Sequence, residues 1–266
     1  MKNQIIKHLP TECPWGDTLY WYDTIDSTNT QAKHMAAAGS PHGTVLIAGS
    51  QTGGRGRLGR SFSSLPGMGA YLSVILRPNC TGTQLMHLTC AAAVAMCDAV
   101  EAVAGIRPGI KWTNDLVWQG KKLGGILTEL ALLPGSDQVQ YAVIGIGINC
   151  CQQQQDFPPE LQDMAISASA AAGRPISPSQ MAAAMIDALY RMDKTLFSDK
   201  NTIMTQYREN CITLGKEVSV VSGDTVRRGI ALDVDAEGGL AVDFGNGDVR
   251  TVTSGEVSIR GLYGYV

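Results

Sequence analysis

The chain has 266 residues, 44% of them hydrophobic and 17% charged, which places it with globular proteins and outside the disordered regime. Its 21 basic and 24 acidic residues leave a net charge of −3, so the chain as a whole carries no footprint for duplex nucleic acid or an anionic membrane, and any polyanion chemistry must be local. Seven cysteines without a CxxC pair and four histidines without zinc spacing point to reduced, mostly buried thiols, no protein-held transition metal and a cytoplasmic location.

Residues 1–19 read as an irregular lead-in with Pro10, Pro14 and Gly16 and no apolar signal region, and no later stretch reads as long enough to span a bilayer. From Trp21 the chain takes on an α/β rhythm. Thr28 with Gln31 forms a capping-box pattern ahead of a helix to Ala38, with Gly39 as its stop. Strands are predicted at Thr44–Ala48, Tyr71–Leu76, Gly125–Leu132 and Tyr141–Ile148. Helices are predicted at Thr83–Ala104, Pro159–Ala172, Ser179–Leu196 and Ile203–Cys211, the first two closed by Gly105 and Gly173. Beyond about Thr213 come short alternating strands, 217–221, 229–234, 240–244, 249–252 and 257–260, with Gly238-Gly239 and Asn246-Gly247 as hairpin turns. The expected organisation is a lead-in (1–19), a catalytic α/β unit (20–212) and a small β-barrel module (213–266).

Four stretches carry chemistry, each with a plainer reading beside it. Asp26 to Gln31 offers hydroxyls and backbone N–H groups at a helix start, suited to a carbonyl-bearing ligand or simply to capping. Gln51-Thr52-Gly53-Gly54-Arg55-Gly56-Arg57-Leu58-Gly59-Arg60 outlines a mobile anion clamp, with neither a Walker lysine nor a dinucleotide fingerprint; a solvated or RNA-contacting loop is the alternative. Lys111-Trp112-Thr113-Asn114-Asp115, followed by Lys121 to Leu127, could neutralise phosphate, hold magnesium and polarise a carbonyl, or be a charged hairpin. Ile144 to Asn149 alternates isoleucine and glycine, leaving one strand face bare for a flat ligand or a packed neighbour.

In order and spacing, these motifs resemble the biotin protein ligase family: Ser27-Thr28-Asn29, Gly54-Arg55-Gly56-Arg57, Lys111 to Asp115, Lys122-Leu123-Gly124-Gly125-Ile126-Leu127 and Ile144 to Asn149, with Ser254 to Arg260 resembling the end of the family's C-terminal module. The resemblance covers about residues 20–262. It implies an α/β fold, a mixed sheet flanked by helices of the class II aminoacyl-tRNA-synthetase type, with a small SH3-like β-barrel. It also implies ATP-dependent activation of biotin to biotinyl-5'-AMP, with Mg2+, and transfer to a lysine of a biotin carboxyl carrier domain.

By the same resemblance, Ser27, Thr28 and Gln51 would hold the ureido ring, and Gly145 with Gly147 would bed the bicycle. Asn29, Gly54, Arg55, Gly56, Gly125 and Leu127 would complete the biotin site. Arg57 and Arg60 would grip adenylate and phosphates, and Lys122 would contact the biotin carboxylate and adenylate carbonyl. Phe62, Trp112, Asn114 and Asn149 would line the nucleotide side, with Lys111 and Asp115 at the phosphates and magnesium, and Arg260 reaching in from the barrel. Lys122, Asp115 and Arg57 are the candidate catalytic residues. Three positions depart from the family pattern: Thr113 for proline, Leu58 for arginine and Phe62 for tryptophan. The roughly twenty residues before the first motif are too short for a helix-turn-helix unit, so no operator binding is expected. A lipoate ligase and a non-catalytic RNA-binding module are the rivals. A homodimer or carrier docking at exposed sheet edges is compatible with the chain.

Overall fold

The computed structural model of the chain describes residues 1–222, 225–253 and 256–259. The lead-in is more ordered than expected: Lys2–His8 forms helix α1, whose Ile5 is buried against the core, followed by a 3-10 turn at Pro14–Gly16 that buries Trp15. Strand β1 (Leu19–Ile25) then runs parallel to β2 (Thr44–Gln51). Between them lies α2 (Thr28–Ala37), whose cap is Ser27 and not the expected Thr28: Ser27 has extended backbone angles, and its Oγ accepts from Thr30 N at 3.4 Å.

Next come β3 (Gly69–Leu76), α3 (Leu88–Ala104), β4 (Gly109–Lys111), β5 (Asp115–Trp118), β6 (Lys121–Leu132) and β7 (Val139–Asn149). The strands form a seven-stranded mixed sheet in the order β1-β2-β3-β7-β6-β5-β4. The predicted strands were each found, one to four residues longer at an end.

The Pro159–Ala172 helix is not continuous. Only a 3-10 turn at Pro159–Leu161 and the short α4 (Ala168–Ala172) are helical. The backbone between them hydrogen-bonds elsewhere: Lys122 N donates to Met164 O at 2.7 Å, and Ile166 N donates to Lys122 O at 2.9 Å. Tertiary pairing with β6 outcompetes local helix formation there. Helices α5 (Pro178–Thr195) and α6 (Lys200–Asn210) follow.

Because strand side chains alternate, each central strand serves two purposes. Leu72, Val74 and Leu76 of β3 and Ile144, Ile146 and Ile148 of β7 join the main core, together with the small residues of α3 and the buried stripe of α5. The stretch Thr83–Ala104 is 22 residues long and, contrary to the sequence reading, apolar enough to cross a membrane by length and composition. Its most apolar window is 67% buried in this core. The opposite sheet face is covered at one end by α2, where Ala32 and Ala36 pack on Leu46, Ile75 and Val143. The remainder of that face bears a cleft beneath the segment that follows β2.

After α6 come β8 (Glu217–Ser222), β9 (Thr225–Val234), β10 (Leu240–Asp243), β11 (Val249–Val252) and β12 (Glu256–Ile259), an antiparallel sheet ordered β11-β10-β9-β8-β12 and consistent with an SH3-like module. Both predicted hairpins form; Asn246 and Gly247 have φ of 54° and 79°, the left-handed pair such a tight turn requires. Val218, Ala231, Val234, Leu240 and Val242 share the main core, so this sheet is docked on the large one.

Candidate active site

The other face of the sheet carries a concave cleft. One wall is the start of α2. Thr28 N and Oγ1 both donate to Gln51 Oε1, at 2.9 and 3.1 Å, and Gln51 Nε2 donates to Ser64 Oγ at 2.8 Å. Ser27, Thr28 and Asn29 are all buried there, so their polar atoms are committed to this wall.

The roof is the Gly/Arg segment. It folds as a ribbon: Gln51 bridges Ser64, Arg55 bridges Ser61, Phe62 N donates to Gly54 O at 2.9 Å and Gly56 N to Arg60 O at 2.7 Å. Gly54 is required where the ribbon's arms cross, since a Cβ would strike the Phe62 carbonyl and lie 2.9 Å from Ser64 Oγ. At the tip, Leu58 and Gly59 have φ of 54° and 75° and turn the chain back. Arg57 Nη1 donates to Asn114 Oδ1 at 3.0 Å, tying the roof to the floor.

The floor is built by β4–β7. Residues 111 and 115 do flank a charged hairpin; Lys111 is 4% exposed, and Lys121, the tip in the plainer reading, is half-buried. A bulge between Leu116 and Val117 pairs Leu116 with Gly124 and Val117 with Lys122, so Leu123 is the extra residue and is buried. This slip turns Lys122 onto the face of Asp115, which it would otherwise miss. Lys122 Nζ donates to Asp115 Oδ1 at 2.8 Å. Gly125 makes room for the pair, since a Cβ there would sit 3.3 Å from both groups. Asn114 Nδ2 donates to Ile126 O at 2.9 Å, fixing the hairpin turn.

Gly145 and Gly147 also act by close approach. A Cβ at Gly145 would overlap the Asn29 carboxamide, and one at Gly147 would strike the Phe62 ring at 2.5 Å. In this structure the bare strand is thus the seat of two side chains of the site. Asn29 Nδ2 donates to Leu127 O (3.3 Å) and Glu129 Oε2 (3.0 Å), and Lys33 Nζ donates to Glu129 Oε1 (2.6 Å). Burial raises the Glu129 pKa, but the Lys33 and Asn29 hydrogen bonds outweigh it and hold the carboxyl below its ordinary value.

The charge balance of the cleft is opposite to that of the chain. Its described lining contains Arg55, Arg57, Arg60, Lys111 and Lys122 against a single carboxylate, Asp115. The cleft also gathers Ser27, Thr28, Asn29, Gln51, Gly56, Phe62, Trp112, Asn114, Gly125, Leu127, Gly145 and Gly147. Gly54 supports the roof without lining the cleft. Asn149 is buried at the end of β7 and also stays out of the lining: its Nδ2 donates to Ile166 O at 3.3 Å, and its Oδ1 accepts from Gln152. Arg260 lies outside the described residues. Trp112 lines the cleft, yet its indole N–H is used by the C-terminal sheet, donating to Gly238 O at 2.9 Å. The peptide between Trp112 and Thr113 is cis. Ser64, Ser73 and Glu129 were missed from sequence. Ser73 and Glu129 are lone polar residues on strands, marked only by their placement on the α2 face, and Ser64 is marked only by its bridge to Gln51.

Residues 21–149 match the Biotin/lipoate A/B protein ligase family, and residues 213–260 match the Biotin protein ligase C terminal domain. The Bifunctional ligase/repressor BirA of Bacillus subtilis is 35% identical over 249 residues, 92% of this chain and 74% of the relative. The chain belongs to the biotin protein ligase family. The Biotin--[acetyl-CoA-carboxylase] ligase of Mycobacterium tuberculosis is 32% identical over 87% of this chain and 85% of its own length. Among solved structures, the biotin protein ligase from Aquifex aeolicus in complex with biotin and ATP superimposes with a TM-score of 0.75 at 28% identity, covering 91% of this chain and 98% of that one. For a biotin protein ligase, a cationic cleft walled by amide and hydroxyl groups is the expected apparatus. The five cations line a concavity and no broad flat surface, which disfavours the RNA-binding reading.

Proposed function

We propose that this chain is a biotin--carboxyl carrier ligase that forms biotinyl-5'-AMP from biotin and ATP and passes the biotinyl group to one lysine of a carrier domain, in the cytoplasm. The observation that carries this reading is the Lys122–Asp115 pair, turned by a bulge into a cationic cleft opposite the Ser27/Thr28/Gln51 wall. The match over residues 213–260, specific to biotin protein ligases, favours biotin over lipoate.

A carboxylate is a poor acyl donor, so it must first gain a better leaving group. In the first half-reaction a biotin carboxylate oxygen attacks the α-phosphorus of ATP, and the bond to the β-phosphate breaks with departure of pyrophosphate. Arg57, Arg60 and Lys111 would neutralise the phosphates, and Lys122 would hold the carboxylate in line. In the second, the amine nitrogen of the carrier lysine attacks the adenylate carbonyl carbon. The bond to the phosphate oxygen breaks, AMP leaves and an amide forms. Lys122 would stabilise the carbonyl oxygen, and Asp115 would accept the amine proton.

Among the described residues no group of three His, Cys, Asp or Glu could hold a metal. Magnesium fits here because it is commonly held by one or two carboxylates together with substrate phosphates, with Asp115 as the protein ligand, and it would supply charge neutralisation at the phosphates. The Gly54–Phe62 ribbon would close over the adenylate and keep water from its carbonyl.

The test separates the half-reactions. Lys122→Ala should slow both pyrophosphate release and transfer by about 100-fold or more, the typical size for loss of one oxyanion-stabilising donor. Asp115→Ala should slow transfer from preformed biotinyl-5'-AMP; unchanged transfer would remove Asp115 from the proton-accepting role.

A further inference from the structure

The turn between β4 and β5 is held from the side of the main core. Tyr207 of α6 is wholly buried there, and its hydroxyl donates to Thr113 O at 3.0 Å, while Trp112 N donates to Thr213 Oγ1 at 2.9 Å. From β6, Ile126 N donates to Asn114 O at 3.0 Å and Ile126 O accepts from Asn114 Nδ2 at 2.9 Å. The polarity of the Tyr207 bond is fixed, because a carbonyl oxygen can only accept. Burial pushes the Tyr207 phenol well above its ordinary pKa, so the hydroxyl keeps the proton it donates.

The Asn114 backbone N–H, by contrast, has no acceptor among the described residues. The peptide joining Thr113 to Asn114 is trans, and in a planar trans peptide the carbonyl and the N–H point in opposite directions. Tyr207 draws the Thr113 carbonyl toward the core. The Asn114 N–H therefore faces away from it, to the side where Asn114 Oδ1 accepts from Arg57 at 3.0 Å and Lys122 meets Asp115 at 2.8 Å. A backbone N–H cannot be left unpaired without cost, and one that opens on a cleft is served by water when the cleft is empty and by an anion when it is filled. We propose that Tyr207 is a positioning residue for adenylate formation, turning the Asn114 N–H into the cleft as a fixed donor to an oxygen of the α-phosphate; this rests on the ligase reading of the cleft. Such a donor complements the long side chains of Arg57, Lys111 and Lys122, since it needs no reorganisation when charge develops. Without the Tyr207 hydroxyl, the Thr113 carbonyl loses its donor inside the protein, and the peptide turns over to reach water and the cleft cations. An oxygen then stands where the N–H stood, and it repels the phosphate.

The discriminating variant is Tyr207→Phe, which removes the hydroxyl and keeps the ring that fills the core. In biotin-dependent pyrophosphate release, kcat/KM for ATP should fall about 10- to 100-fold, the usual size for one hydrogen bond to a charged group, while the KM for biotin stays within about twofold. Equal losses toward both substrates would mean a merely structural role and overturn the proposal, as would no loss at all. A ligand-free readout keeps this separable from the ligase reading. Labelling threonine with carbonyl 13C and asparagine with 15N marks only the Thr28–Asn29 and Thr113–Asn114 amides, which Thr28→Ser tells apart. In the wild-type protein without ligand the Asn114 N–H should exchange freely with solvent, and in Tyr207→Phe, turned inward, it should exchange at least about tenfold more slowly. An Asn114 N–H already protected in the wild type overturns the proposal even if biotin is activated. Free exchange in the wild type and protection in Tyr207→Phe, without any pyrophosphate release from ATP and biotin, overturns only the reading of the cleft.

Discussion

The two faces of the large sheet are made by the same strands and could hardly differ more. On β3 and β7, Leu72, Val74, Ile144 and Ile146 look toward α3 and α5 and are filled to closure, while Tyr71, Ser73, Gly145 and Gly147 look the other way, the two glycines onto the cleft. One face is defined by side chains that occupy space. The other is defined by side chains that are absent, so that Asn29 and Phe62 can settle on the backbone. Stability and recognition are thus separated by a single residue of strand register.

This separation can be broken from either side. The largest stability effect belongs to the closed face: Leu72→Ala, which leaves a cavity in the main core, should lower unfolding stability by about 2–5 kcal/mol by chemical denaturation and leave the KM for biotin within about twofold. Gly145→Ala should do the converse. Displacing the Asn29 carboxamide should raise the Kd for biotin about 10- to 100-fold, the equivalent of roughly 1–3 kcal/mol of overpacking, with a smaller change in Tm. A Gly145→Ala protein with normal biotin affinity would show that the glycine serves strand packing alone. The smallest effect concerns the join between the sheets. Trp112→Phe removes the donor to Gly238 O and should cost about 1–2 kcal/mol, read as faster limited proteolysis of the 213–266 module.

Most of the framework was legible in the sequence because its signals are local. Gly105 and Gly173 stop helices with left-handed φ of 72° and 65°, and the valine- and isoleucine-rich runs became strands. The Pro159–Ala172 stretch misled because its composition is helical while the Lys122 backbone claims its hydrogen bonds. Within the site, charged and glycine motifs gave away the residues that line the cleft. Ser73 and Glu129 did not show themselves, since a lone serine or glutamate on a strand has no pattern until the register assigns it a face, and Ser64 is picked out only by its bridge to Gln51. The bulge at Leu123, which brings Lys122 to Asp115, is likewise a property of pairing and has no sequence signature.

The central claim is best tested by intact-mass spectrometry of a biotin-acceptor domain incubated with the purified chain, Mg-ATP and either biotin or lipoate. The account predicts addition of one biotinyl group to a single lysine and none of lipoyl. Lipoylation, or an acceptor left unmodified by both, would contradict it.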